Sequence, residues 1–174
     1  MPETTPEPHW HFCTYFDRNY LTRGIALYRS LAQHCRRPFT LWTLCFDDES
    51  YATLKRLGLP GLQPIRRQDF EASDTELAEA RKDRTEVEYY WTCTPSLPLY
   101  LLKQHPHIDL ITYLDADLYF FSDPTPIFAE LGDGSIMIHG HRYPHELAYL
   151  ADEVGIYNVG MLALANSLGV MFEV

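Results

Sequence analysis

Ile108-Asp-Leu-Ile-Thr-Tyr-Leu114, followed at once by Asp115-Ala-Asp117, decides how this chain is read. From His107 to Leu114 the run is close to continuously apolar, as expected of a strand buried on both faces of a parallel sheet. Two carboxylates at i and i+2 of an extended chain project to one side. Here they lie just past the end of the strand, at the edge of an open α/β sheet where ligands bind. Two hard oxygen ligands on one side make a partial site for Mn²⁺ or Mg²⁺. Such an ion bridges phosphates and stabilises the charge that develops on a leaving diphosphate. The small Ala116 lets the backbone approach those phosphates. An isolated pair of this kind is common and means little alone. This one interrupts an apolar run that resumes as Leu118-Tyr-Phe-Phe121, and neighbouring carboxylates repel unless a cation neutralises them.

Working outward, strands and helices alternate. Trp10–Phe16 is a first strand, broken by Asp17-Arg-Asn19, and Leu21–Leu31 has its apolar residues at helical spacing. Phe39–Phe46 reads as a second strand, Tyr51–Leu57 as a short helix ended by Gly58 and Pro60, and Leu62–Ile65 as a third strand. Residues 68–88 are charged and mixed, a solvated helix or two with a loop. Tyr89–Leu102 is expected to be a helix with a disturbed start, since Pro95 and Pro98 lie inside it. Beyond Asp117 the expectation is a short strand at Leu118–Phe121, a helical turn at Pro126–Leu131, a strand at Ser135–His139, a helix over Tyr143–Glu153 and a last ordered run at Tyr157–Leu164. The class is α/β with a mainly parallel sheet flanked by helices, in one domain from residue 9, preceded by a disordered acidic, Pro-rich lead over residues 1–8.

Composition narrows the partners. A chain of 174 residues with 14% aromatics can bury a real core. A net charge of −10 disfavours nucleic acid, which requires basic stripes. An anionic substrate stays open, because a bound metal reverses the local field. Cys13, Cys35, Cys45 and Cys93 lack C-x-x-C spacing, so free thiols in a reducing cytosol are expected, with the protein soluble or peripheral at the inner membrane face. No apolar stretch reaches membrane-spanning length.

Two further segments accompany the acidic pair. Thr14-Tyr-Phe-Asp17-Arg-Asn19-Tyr20 follows the first strand, and Tyr157-Asn158-Val-Gly160-Met161 lies downstream. Together and in this order the three resemble GT-A glycosyltransferases, above all the glycogenin and bacterial lipopolysaccharide galactosyltransferase group. The resemblance runs from about His11 to Asn166. It implies a GT-A-like (Rossmann-like) fold and transfer of a sugar from a nucleotide-diphosphate donor, a UDP-sugar, to a saccharide, lipid or protein acceptor. It places the metal on Asp115 and Asp117, the nucleotide on Tyr15, Asp17, Asn19, Tyr20, Ala116 and Asp117, and the donor sugar beside Asn158 and Gly160. Members of the group continue past the Asn-x-Gly segment and carry a His there that completes the metal site. No His follows His145, so a C-terminal part missing or shortened is expected. No catalytic base is singled out.

Plainer readings stand beside these. Asp17 and Asn19 are good helix caps, Tyr20 could be core, and Asn158-x-Gly160 could be a turn. His139, His141 and His145 with Arg142 do not have zinc spacing and read as a polar loop near the acceptor. Arg81, Lys82 and Arg84 could reach donor phosphates, but a solvent-facing helix accounts for them. A module that binds a nucleotide-sugar or metal without turnover keeps the same acidic pair. A haloacid-dehalogenase-type phosphatase would place its pair near the N-terminus, followed by Thr or Val.

Overall fold

The computed structural model describes residues 9–166; the lead at 1–8 and the tail at 167–174 lie outside the described residues. Six strands form one sheet: β1 (Trp10–Phe16), β2 (Phe39–Cys45), β3 (Leu62–Arg66), β4 (Leu110–Leu114), β5 (Ile136–Gly140) and β6 (Tyr157–Ala165). Their order is β3-β2-β1-β4-β6-β5. β3, β2, β1 and β4 run parallel, whereas β6 is antiparallel to both β4 and β5. The helices are α1 (Leu21–His34), α2 (Asp48–Leu57), α3 (Arg67–Glu71), α4 (Thr75–Ala80), α5 (Glu86–Gln104), α6 (Thr125–Ala129) and α7 (Leu150–Val154).

Two apolar clusters cover the two faces of the sheet, as parallel strands require. One joins Cys13, Leu44 and Ile111 to Cys93, Leu97 and Leu101 of α5. The other joins Phe12, Phe16 and Leu41 to Leu27 and Leu31 of α1 and Phe128 of α6. Gly24 is obligatory in that second layer: a Cβ there would lie 2.1 Å from the ring of Phe16, so α1 seats directly on the end of β1. Cys13, Cys45 and Cys93 are buried and free, and burial pushes the Cys45 thiol up to about 12.

Helix boundaries follow local chemistry. Asp47 caps α2 by accepting from the Ser50 N–H at 2.7 Å, and Gly58 closes it in the left-handed region at φ 55°. The start of α5 is not disturbed. Thr85 and Glu88 form a complete capping box, and the helix runs through Pro95 and Pro98. Thr92 and Ser96 hydroxyls donate to the carbonyls four residues back within this stretch.

Three further expectations are corrected. Leu118–Phe121 is not a strand, because β1 and β6 already occupy both edges of β4 and the chain turns away after Leu114. The Leu118 N–H donates to the Asp115 carbonyl at 3.1 Å, closing that turn. Tyr143–Glu153 is not one helix but a 3₁₀ turn at His145–Leu147 followed by α7. The acidic pair is therefore set by a turn and not by strand alternation, although both side chains still face one cleft.

Candidate donor and metal site

The C-terminal ends of β1 and β4 lie side by side, since Cys13 pairs with Tyr113. The segments that leave them, 15–20 and 115–117, form two walls of an open cleft of about 370 Å³. Tyr15, Asp17, Asn19, Tyr20, Asp115, Ala116 and Asp117 all line it. The third wall is α5, through Val87, Tyr90 and Trp91.

Tyr113 is buried at the floor, and its hydroxyl donates to Asp115 Oδ1 at 2.7 Å. Burial, with the neighbouring Tyr15 and Asp115, holds the Tyr113 hydroxyl far above its ordinary range, so it stays a donor. Burial also raises the Asp115 carboxyl; the Tyr113 bond offsets part of the rise, and the charge on Asp117 adds to it. A cation placed against these two carboxylates would remove that cost. Asp117 is exposed to the cleft and Ala116 is buried behind it.

β6 completes the acidic corner. Its pairing with β4 ends at Met161 opposite Leu114, and the Asp115 N–H then donates to the Gly160 carbonyl at 2.8 Å. Against β5 the register jumps here: Ile138 faces Leu162 but His139 faces Asn158, so Val159, Gly160 and Met161 bulge out. Bulges of this kind re-aim side chains beside sites. Asn158 Oδ1 accepts from the Gly160 N–H at 2.8 Å. A Cβ at 160 would lie 2.9 Å from Asn158 Oδ1 and 3.1 Å from Asp115 Oδ2, so glycine keeps that oxygen uncrowded. Gly160 thus abuts Asp115, the first carboxylate of the pair. Asn158 faces a second cleft, beyond Asp117.

On the other wall, Asp17 Oδ1 accepts from the N–H groups of Asn19 and Tyr20, and Asp17 Oδ2 accepts from the Asn19 amide at 2.8 Å. These bonds fix the turn that precedes α1 and leave the helix itself without a side-chain cap. Tyr15 is held by a 2.9 Å hydroxyl contact with Thr94 of α5 and packs against Tyr113 and Phe46. Tyr20 is 43% exposed, with the Arg23 guanidinium over its ring at 4.3 Å, so it is cleft rim and not core.

Arg81, Lys82 and Arg84 do not line the cleft. Arg81 pairs with Glu71 at 3.3 Å, Lys82 pairs with Glu79 at 2.6 Å, and Arg84 bonds Thr92, as the solvent-facing reading has it. The sequence does not mark Val87, Tyr90 and Trp91 as cleft residues: Val87 precedes the expected start of the helix at Tyr89, and Tyr90 and Trp91 lie inside it in an aromatic run with no sign of which face meets the cleft. Thr85-x-x-Glu88 was the available signal of the earlier start, with apolar residues at i, i+3 and i+4 after it. Among the described residues no group of three or more His, Cys, Asp or Glu side chains is placed to hold a metal ion. His139, His141 and His145 therefore do not form one. Two carboxylates, Asp115 and Asp117, would supply only part of a coordination shell, as for an ion that keeps waters and phosphates as its remaining ligands.

No protein-family profile matches the chain. It is 30% identical over 158 residues to the uncharacterized protein YfnD of Bacillus subtilis (strain 168), covering 91% of this chain and 50% of that protein. It is also 30% identical over 128 residues to the uncharacterized protein YfnF of the same organism, covering 73% and 41%. The chain thus spans about half the length of the curated relatives it matches. Among solved structures it resembles galactosyltransferase LgtC in complex with donor and acceptor sugar analogues, at TM-score 0.61 and 16% identity over 89% of this chain and 57% of that one. Mouse xyloside xylosyltransferase 1 in its apo form gives TM-score 0.58 at 16% identity, covering 95% and 70%. The bifunctional glycosyltransferase WbbM gives 0.57 at 16% identity, covering 95% and 33%. The architecture is the GT-A glycosyltransferase fold.

Proposed function

We propose that this GT-A-fold domain binds a nucleotide-diphosphate sugar, a UDP-sugar by preference, with Mn²⁺ or Mg²⁺, and transfers the sugar to an acceptor hydroxyl. One observation carries the reading. Tyr15, Asp17, Asn19 and Tyr20 meet Asp115, Ala116 and Asp117 in a single cleft at the C-terminal edge of the parallel strands, although about a hundred residues separate the two groups.

Asp115 and Asp117 would hold the ion, and the ion would offset charge on the diphosphate. Tyr113 orients Asp115 through its hydroxyl, and Gly160 keeps Oδ2 free to coordinate. The N-terminus of α1 opens beside Tyr20 and favours the negative phosphates. Tyr20, Tyr90 and Trp91 would offer aromatic surface to the base, and Gly160 would border the donor sugar through its contact with Asp115, with Asn158 bonded to it from the neighbouring cleft. In the transfer an acceptor oxygen bonds the anomeric carbon as the bond from that carbon to the diphosphate oxygen breaks. The electron pair leaves on the diphosphate, which takes up the acceptor proton. Buried free thiols fit a reducing compartment, and no helix of the described residues is long and apolar enough to cross a membrane.

Thermal unfolding with and without Mn²⁺ plus UDP tests the site. Ligand at a hundred times its dissociation constant adds about 2.7 kcal/mol, a shift of roughly 5–10 °C for a domain of this size. That shift should vanish in Asp117→Asn. A cooperative transition that neither metal nor nucleotide moves would sink the assignment. The two-carboxylate shell also favours a second reading, a module that binds the donor without transfer. Release of UDP from a UDP-sugar, with and without acceptors, separates the two.

A further inference from the structure

β5 is an end strand of the sheet, and among the described residues no strand pairs along its outer side. The other end strand, β3, carries Pro64 and the charged Arg66, both of which discourage a further strand. β5, Ile136-Met-Ile-His-Gly140, has no Pro, Lys, Arg, Asp or Glu. The Ala165 N–H donates to the Ser135 carbonyl at 2.8 Å, so by the alternation of an antiparallel ladder Met137 also turns its main chain toward β6. Ile136 and Ile138 therefore turn their N–H and C=O groups outward. Their side chains share one face of the strand, and Ile136 is 53% exposed. Outward main-chain groups flanked by apolar side chains are a template for strand addition.

Charge selects the partner. The protein carries a net charge of −10, and an uncharged edge is where two copies can meet without that repulsion. Opposite charges flank the edge: Glu130 and Asp133 before it and Arg142 after it, all exposed. Among the described residues none of these three is in an ion pair. An antiparallel second β5 brings the acidic end of each copy beside Arg142 of the other. A parallel one sets like charge against like. The pattern is thus complementary to itself about a twofold axis. A foreign strand has no reason to carry it reversed, whereas a second copy carries it by construction.

We propose that two copies of this chain pair antiparallel through β5, with Ile136 of each opposite Ile138 of the other, so that one sheet runs across both. Those residues then exchange main-chain bonds, and their side chains form cross-strand apolar pairs. The pairing does not depend on the donor reading. Sedimentation velocity of the full chain over a range of concentrations tests it. Wild type should form a dimer and stop there. Ile136→Lys sets a charge on the edge and should raise the dimer dissociation constant about ten-fold or more. Phe121→Lys, at a side chain 84% exposed in the loop after β4, should change it by no more than a factor of about two. Asp133→Arg should weaken the dimer about five-fold, and adding Arg142→Asp should restore it, because the exchanged charges again face each other. These side chains are exposed, so Tm should hold; were Ile136→Lys to lower it, the Asp133 and Arg142 variants decide. A chain that stays monomeric, or a dimer that neither Ile136→Lys nor Asp133→Arg weakens, overturns the proposal. Association that Phe121→Lys abolishes equally overturns it too, as the mark of unspecific apolar contact. A double variant that does not recover refutes the antiparallel arrangement.

Discussion

The backbone N–H of Asp115 donates to the carbonyl of Gly160 at 2.8 Å, and that single bond continues the β4–β6 ladder one residue beyond the end of β4. It fixes the first carboxylate of the pair to a segment 45 positions further along the chain. The glycine leaves no side chain to compete for the space.

Gly160→Ala should therefore act on the acidic pair and not on the sheet alone. Its Cβ would crowd Asn158 Oδ1 and Asp115 Oδ2 at 2.9 and 3.1 Å. A loss of about 1–3 kcal/mol in stability is expected, together with a weaker Mn²⁺–UDP thermal shift. Full retention of that shift would mean that Asp115 Oδ2 contributes nothing to binding.

Asp115→Asn separates stability from binding. Burial, with the nearby Asp117 charge, raises the Asp115 carboxyl above its unfolded value, so protonation favours the fold and ionisation at neutral pH opposes it. Removing the charge should leave the metal-free Tm unchanged or higher at pH 7, while abolishing the Mn²⁺ response. The advantage over wild type should shrink as pH falls and the wild-type carboxyl protonates. A clear fall in metal-free Tm at neutral pH would contradict this account.

Trp91 is 68% exposed on the cleft wall, so Trp91→Ala should change stability by no more than about 0.5 kcal/mol. If it stacks on the base, UDP affinity should fall by roughly 5- to 100-fold, about 1–3 kcal/mol. Calorimetric titration of UDP in the presence of Mn²⁺ measures this, and equal affinities in the two proteins would remove Trp91 from the site.

At the opposite pole, His11 lies among His9, His105 and His107, with ring centroids 4.8 Å from His9 and 5.9 Å from His107. Burial first, then the neighbouring imidazoles, lowers its pKa to about 4, with Asp109 opposing. A histidine depressed in the folded state contributes stability above its unfolded value of 6.5 and loses it as pH falls toward 4. For a half-buried ring this amounts to about 1–2 kcal/mol. Denaturant melts from pH 7 to 4 should fall more steeply in wild type than in His11→Phe; parallel curves would refute the assignment.

Much of this was legible in the sequence because the parallel half of the sheet is written locally. Trp10–Phe16, Phe39–Cys45 and Leu110–Leu114 are short apolar runs with breakers at their ends. The acidic pair was visible for the same reason, as charge set into an apolar run. Less was legible where non-local pairing decides. Leu118–Phe121 has strand composition, but both sides of the preceding strand β4 are already taken by β1 and β6. The antiparallel course of β6 and its bulge against β5 depend on partners distant in the chain, so the placing of Asn158 in a neighbouring cleft could not be read from its spacing. Trp91 falls inside the helix expected at Tyr89–Leu102, but only the packing of α5 against the sheet decides that this ring, and not its aromatic neighbours, projects from the cleft wall.

The sheet order has a consequence in time. β6 is the last described strand in the chain, yet it inserts between β4 and β5. As a ribosome releases the chain, β1 to β4 can pair with one another, but β5 has no neighbour until β6 arrives. Asp115 and Asp117 leave the ribosome before the strand that frames them, and Gly160 closes their corner only once β6 has been made. Nascent chains would carry the parallel half of the sheet before they carry the corner that frames the acidic pair.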